Sequence, residues 1–343
     1  MLTEEQRDLQ SLARDFATTE LRPHTAEWDE RREIDAEVFS KLAESGFLGM
    51  MVPEEYGGLG FDLATLLVVL EELAWGDAAV ALSGADVASV TTTATRDENG
   101  WRLDGEKRWV TNGARAGVVA VFARTSDDAL GLFLVTPEAE GYEVGGRENT
   151  LGLRAAETVS VVLDGVRVGS DALVGEEGLG LHYALEALDL GRAAIAAQAV
   201  GVGRAAMEHA AAYSLEREQF GTPIARFGAV QAKLADMAQR LEAGRALARS
   251  AAATWDQGQN GSGAGRRGLE GITARAAMAK LGASEAASWT ADEAIQIYGG
   301  YGYMRHYPVE KLLRDAKGTE IYEGTNEILR RVIAGEILRD AGD

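Results

Sequence analysis

The sequence predicts an α+β protein, mostly α, with a helical unit at the N-terminus, a small β domain in the middle and a four-helix bundle at the C-terminus. Two observations carry this. Apolar residues recur at a helical period near the start, at Leu9, Leu12, Ala13 and Phe16, and again after Gly178, as at Val230, Leu234, Met237 and Leu241. Between these parts, short runs rich in β-branched and aromatic residues are separated by Asp104-Gly105, Asn112-Gly113 and Asp164-Gly165, dipeptides that favour turns. The expected domains are 1–83, 84–172 and 173–343.

In chain order, Thr3 stands three residues before Gln6, the spacing of a capping box that opens a helix. A second helix is expected over 34–47. The run from Pro53 to Gly60, Pro-Glu-Glu-Tyr-Gly-Gly-Leu-Gly, reads as a loop, and 63–75 as a strongly apolar helix. Strands are expected over 118–124, 131–136 and 158–168. Long helical stretches follow near 181–215, 228–256 and 269–297, and long helices joined by short breaks indicate a bundle. The polar, glycine-rich stretch 256–268 is expected to be a loosely ordered connection.

A chain of 343 residues is long enough for two or three domains and for a core that houses a large cofactor. Its formal charge of −20, without a basic stripe, argues against a nucleic-acid partner. The absence of cysteine excludes disulfides, thiolate metal sites and cysteine nucleophiles, so redox chemistry here needs a borrowed cofactor. No apolar run reaches the length of a membrane span and the first residues are too charged for a signal peptide, so a cytoplasmic location is the default expectation.

Two segments invite a chemical reading. Ile321-Tyr322-Glu323-Gly324-Thr325-Asn326-Glu327 sets a carboxylate beside a glycine just before an apolar helical pattern, where a carboxylate ordinarily serves as a cap or dipole partner. Gln296-Ile297-Tyr298-Gly299-Gly300 ends a long helix. Its glycines can terminate that helix, or they can let backbone N–H groups approach a phosphate.

These segments occur in one order with Pro53 to Gly60, with Trp109-Val110-Thr111-Asn112-Gly113, with Arg217-Glu218-Gln219-Phe220-Gly221, and with Tyr307-Pro308-Val309-Glu310-Lys311 followed by Arg314-Asp315. Together they resemble the acyl-CoA dehydrogenase family from near residue 3 to near residue 339. The resemblance implies that family's three-part fold and FAD as cofactor. Trp109 is then expected against the isoalloxazine, and the Thr111 hydroxyl near the hydride-accepting nitrogen. Arg217 and Phe220 are expected to reach the FAD of an adjacent subunit, the arginine at its pyrophosphate. Gln296, Gly299 and Gly300 approach from the bundle, and Thr325 and Glu327 lie near the phosphates and adenosine. A site shared in this way implies a homo-oligomer, a dimer or a tetramer.

Glu323 corresponds to the family's catalytic base. A thioester α-proton is too weakly acidic for an unaided carboxylate, so donors must stabilise the developing enolate; the resemblance assigns the Glu323 N–H and a ribityl hydroxyl. The alternative position for the base in some branches is Gly191 here, which has no side chain. Asp189 and Arg192 are expected to line the substrate side, with Gly324 against the thioester. The family's segment after Glu71-Glu72-Leu73-Ala74 is shortened by several tens of residues around 77–86.

The resulting expectation is dehydrogenation of an acyl-CoA to the trans-2-enoyl-CoA, with electrons passed to an electron-transfer flavoprotein. The alternatives are a truncated, non-catalytic oligomeric scaffold or binding protein, and an acyl-CoA oxidase.

Overall fold

The capping box forms as expected: the Thr3 hydroxyl accepts from Gln6 N–H at 3.1 Å, and the Gln6 side chain accepts from Thr3 N–H at 3.2 Å. It opens α1 (Glu4–Phe16), and a π-helical turn, Ala17–Leu21, follows directly. A computed structural model describes residues 2–82, 91–259 and 271–342. The chain divides into two compact units. One comprises Met1–Leu82, Leu151–Ala155 and Arg192–Asp343; the other comprises Ser83–Thr150 and Ala156–Gly191.

In the first unit, α2 (Thr25–Arg31) and α3 (Ala36–Glu44) lead to a 3₁₀ turn at Glu54–Tyr56 inside the expected loop. The apolar helix α4 (Leu63–Gly76) and the short α5 (Ala78–Leu82) follow. Asp62 caps α4 by accepting from Thr65 N–H at 2.9 Å. Its buried Glu71 and Glu72 are neutralised by Arg204, which reaches both, by Arg245 on Glu71 and by Arg14 on Glu72. Buried carboxylates are tolerated only when paired in this manner.

Three long helices complete most of this unit: α6 (Gly180–Glu216), whose first twelve residues belong to the other unit, α7 (Gly228–Gln259) and α8 (Ile272–Tyr298). α7 and α8 pack through small residues. A Cβ added at Gly244 would lie 3.1 Å from the Ala283 Cα, so a side chain there would hold the helices apart. α9 (Pro308–Thr319) and α10 (Asn326–Gly342) end the chain, with the residues around Glu323 between them.

The stretch 256–268 departs from expectation where it is described. Residues 256–259 are the last turn of α7, and the Asp256 carboxylate accepts from Leu63 N–H at 2.9 Å and Ala64 N–H at 3.2 Å. Those are orphan donors at the start of α4, which a polar side chain far along the chain satisfies. The rest of the stretch, from 260, lies outside the described residues.

The second unit holds a mixed six-stranded sheet in the order β4-β3-β1-β2-β6-β5. Its strands are β1 (Thr93–Asp97), β2 (Gly100–Thr111), β3 (Val119–Arg124), β4 (Leu130–Val135), β5 (Tyr142–Arg147) and β6 (Thr158–Gly169). Only the β1–β3 pair is parallel. Trp101, Leu103, Phe133, Val135, Val159, Val161 and Leu163 bury one face, with the Trp101 and Phe133 rings edge to face at 5.1 Å.

Two of the three dipeptides read as turns are something else. Asp104-Gly105 and Asp164-Gly165 lie inside the paired strands β2 and β6, where the register slips between Leu103 and Gly105 and Gly165 N–H donates to Asp104 Oδ1 at 2.9 Å. They form a bulge, which uses the same glycine freedom as a turn: φ is +148° at Gly105 and +65° at Gly165. Asn112-Gly113 does end its strand, with Asn112 at φ +56°.

Candidate active site

Glu323 is 8% exposed and sits in the left-handed region at φ +54°, followed by Gly324 at φ +93°. Two successive residues of this kind turn the chain sharply between α9 and α10, and a non-glycine residue held there is strained. The corner is gripped on both sides. Arg192 Nε from α6 donates to the Glu323 carbonyl at 3.4 Å, a long contact, and Lys280 Nζ from α8 donates to the Gly324 carbonyl at 2.8 Å. Lys280 is fully buried and also donates to Asn326 Oδ1 at 3.1 Å. The Asn326 amide in turn donates to Ser284 Oγ at 3.1 Å. Burial pushes the Lys280 ammonium down to about 8, against the pull of Glu320, Glu323 and Glu327.

On the other flank, the Tyr322 hydroxyl donates to Gln198 Oε1 at 2.7 Å, and Gln198 Nε2 donates to the Ala78 carbonyl at 2.8 Å. The proposed base is thus held through its neighbours on α5, α6 and α8. Of the residues expected on the substrate side, Arg192 and Gly324 meet here; the Arg192 guanidinium lies 3.9 Å from where a Gly324 Cβ would stand. Asp189 is 5% exposed on the preceding turn of α6 and belongs to the other unit. Gly191 follows on the same helix.

A second feature of the first unit is a cleft of about 440 Å³ lined by Arg217, Gly299, Gly300, Tyr213, Tyr298 and Tyr301, among others. The structure brings together three of the residues expected to hold a cofactor. Arg217 lies 5.8 Å over the Tyr301 ring, and Gly299, at φ +60°, ends α8. A Cβ at Gly299 or Gly300 would meet nothing within 4 Å, so the backbone there is open to close approach. Gln296 is exposed on the last turn of α8 and does not line the cleft. Phe220, at φ +54° and 95% exposed, projects from the two-stranded turn β7 (Glu218–Gln219) and β8 (Thr222–Pro223).

Thr325 and Glu327 occupy the start of α10. A hydrogen bond from the Glu327 backbone and another from the Thr325 hydroxyl hold the exposed Glu327 carboxyl below its ordinary range, as expected at a helix N-terminus. In the second unit, Trp109 sits at a bulge in β2, between the pairs Lys107–Val161 and Val110–Val159, with φ +58° and 67% exposure. Thr111 ends the same strand. A large aromatic held in a strained backbone and turned outward is suited to stacking on a planar ligand.

The sequence matches the profiles of the acyl-CoA dehydrogenase N-terminal domain over residues 3–98, middle domain over 81–166 and C-terminal domain over 178–338. It is also 37% identical to an acyl-CoA dehydrogenase of Bacillus subtilis, with 98% of this chain and 99% of that one covered. The chain belongs to the acyl-CoA dehydrogenase family. Its alignment with the Bacillus subtilis protein extends over 385 positions although the chain has 343 residues, so the relative has tens of positions that find no residue here. The junction where the shortening was read is described through Leu82, and 83–90 lie outside the described residues.

Two solved structures resemble this family member closely. A chain from the structure of the electron-transferring flavoprotein of Acidaminococcus fermentans superimposes with a TM-score of 0.92 at 32% identity, covering 99% of both chains. The acyl-CoA dehydrogenase of Bacillus anthracis, complexed with FAD, gives 0.91 at 28% identity, covering 99% of this chain and 68% of that one. Among the described residues of this family member, no helix is long and apolar enough to cross a membrane, and no acidic or histidine cluster is arranged to hold a metal.

The sequence pattern singles out none of Lys280, Ser284 and Gln198, and it gives Asn326 no role of its own within the Glu323 segment. The signal was there for two of them: Lys280 and Ser284 stand four apart within Ala276-Ala277-Met278-Ala279-Lys280-Leu281-Gly282-Ala283-Ser284, polar residues on a helix face otherwise lined with alanine.

Proposed function

We propose that this chain is an FAD-dependent dehydrogenase that removes the α-proton of an acyl-CoA thioester with Glu323. The observation that carries the reading is the Glu323 corner: a buried carboxylate in a left-handed backbone, with its own carbonyl and that of Gly324 held by cations from two helices. A carboxylate buried at such a corner is shielded from water, as a base for a weak carbon acid requires. Glu323 accepts the α-proton while the C–H electron pair moves toward the carbonyl, and the Glu323 N–H faces the developing negative charge on the thioester oxygen.

The residues present fit FAD. The exposed backbone of Gly299 and Gly300 and the Arg217 guanidinium share one cleft and can bind a pyrophosphate, and the outward Trp109 ring offers a stacking surface. When bound, FAD supplies the acceptor for the hydride that leaves the β-carbon, and the product is the trans-2-enoyl-CoA. Since one cleft joins Arg217 to the two glycines, these three act on one and the same cofactor. Phe220 projects at the surface and, with Arg217, reaches the FAD of a neighbouring subunit, so the working form is a dimer or tetramer. The likeness to a chain in the electron-transferring flavoprotein structure supports such a flavoprotein as electron acceptor.

The test is anaerobic mixing of the purified, FAD-loaded protein with acyl-CoAs of graded chain length. Loss of the oxidised flavin absorbance with at least one of them, abolished by Glu323→Gln with FAD retained, is the expected result. FAD-loaded protein that no acyl-CoA bleaches would rule the reading out. The shortening relative to the Bacillus subtilis protein favours one other reading, a non-catalytic oligomeric scaffold. About one FAD per purified chain argues against that scaffold.

A further inference from the structure

We propose that Lys280 is a positioning residue: its buried ammonium, opposite the Arg192 guanidinium, clamps the successive carbonyls of Gly324 and Glu323 and so sets the direction of the Glu323 carboxylate. This inference deepens the dehydrogenase reading and rests on it. An ammonium with 0% exposure among the alanines of α8 is costly, and a methionine of the same length would fill the space without that cost. What the charge does can be read from its partners. Both acceptors of Lys280 Nζ, the Gly324 carbonyl and Asn326 Oδ1, lie within three residues of Glu323.

The other end of the network is anchored on α8 itself, because Asn326 donates to Ser284 Oγ and Ser284 Oγ donates to the Leu281 carbonyl at 3.2 Å. The left-handed φ of Glu323 fixes both its N–H and its Cβ direction. An L-residue at φ +54° tends to relax, and two cations that each hold one carbonyl of the corner oppose that relaxation. The charged groups facing Lys280 are Glu320 and Glu323 on the corner, Glu327 on α10 and Arg192 on α6. Three carboxylates against one further cation keep the ammonium protonated at neutral pH, and the ammonium in turn favours the ionised, proton-accepting form of Glu323.

The test compares Lys280→Met and Lys280→Arg with the wild type in the FAD-loaded protein. Lys280→Met is expected to keep FAD and oligomeric state, to slow flavin bleaching by acyl-CoA at least tenfold at pH 7, and to move the acid limb of the rate upward by about one pH unit. Lys280→Arg is expected to restore the limb. Independently of activity, Lys280→Met and Glu323→Gln are combined in a thermal-unfolding cycle, where the double variant is expected to depart from additivity by at least about 2 °C. An additive cycle overturns the clamp whatever the flavin does. A wild type that never bleaches, with a non-additive cycle, removes the dehydrogenase reading and leaves the clamp standing.

If Lys280→Met does not fold, Glu323→Gln alone reads the coupling. A lysine titrating near 8 in the folded chain and near 10.4 unfolded adds stability as pH rises between those values. Neutralising Glu323 must start that rise at lower pH, and an unchanged course overturns the proposal.

Discussion

The Tyr322 hydroxyl donates to Gln198 Oε1 at 2.7 Å, and Gln198, 2% exposed, passes the link to the Ala78 carbonyl at 2.8 Å. The residue before the proposed base is thereby tied to the short helix α5, beside the part of the chain that is shortened. Tyr322→Phe removes the donor and leaves a buried amide oxygen short of a partner, which costs about 1–2 kcal/mol. The variant is expected to melt lower than the wild type by that amount and to bleach more slowly with acyl-CoA at unchanged FAD content. Melting and bleaching both equal to wild type would show that the link positions nothing.

Lys311 lies between Asp77 at 3.0 Å and Asp315 at 2.7 Å, and Asp315 also accepts from Leu153 N–H at 2.6 Å. Both carboxylates are completely buried, and the pull of the two acids holds the Lys311 ammonium above the ordinary lysine range despite its burial. Lys311→Met strands two carboxylates and is expected to cost about 3–5 kcal/mol. Adding Asp77→Asn removes one stranded charge and is expected to recover part of the loss. Urea unfolding of the single and double variants measures both, and a double variant no more stable than Lys311→Met contradicts the ion-pair account.

Much of this fold follows from local pattern. The capping box at Thr3 and Gln6, the long α6, α7 and α8, and the apolar α4 all appear where periodicity and capping chemistry place them. The misreadings share one cause. Asp104-Gly105 and Asp164-Gly165 have turn composition, yet each is a bulge because of the strand opposite it, and Asp256 is polar in a polar stretch because it caps a helix 193 residues away in sequence. The motif around Glu323 was legible as a chemical segment, but its supports were not. Lys280 and Gln198 act on it across separations of 44 and 124 residues, which no local window contains.

His209 offers a pH test of the first unit. It lies against the Arg22 guanidinium, which stacks over Trp75 at 4.0 Å, and burial together with that cation pushes its imidazole down to about 4. Because the folded chain binds the proton less readily than the unfolded one, the unfolded state gains protons first on acidification. Stability contributed by the neutral ring is fully present above about 6.5 and is lost as pH falls toward 4, by up to about 3 kcal/mol. His209→Gln is expected to flatten this part of the stability curve between pH 6.5 and 4. Parallel curves for variant and wild type would show that the ring does not titrate as its surroundings require.

Trp109 separates cofactor binding from folding. Its ring is 67% exposed and takes no part in the core built on Trp101 and Phe133, so truncating it removes little buried surface. The backbone at φ +58° is equally strained for alanine and relieved for glycine. Trp109→Ala is therefore expected to leave the melting of the FAD-free protein within about 0.5 kcal/mol of wild type, and Trp109→Gly to match or exceed the wild type. Both are expected to weaken FAD binding at least tenfold, because the stacking surface is gone. Calorimetric melting of the stripped protein and fluorescence titration with FAD make the two measurements. Unchanged FAD affinity would mean that the exposed indole faces something other than the flavin, and a large fall in apoprotein stability would mean that it is part of the fold.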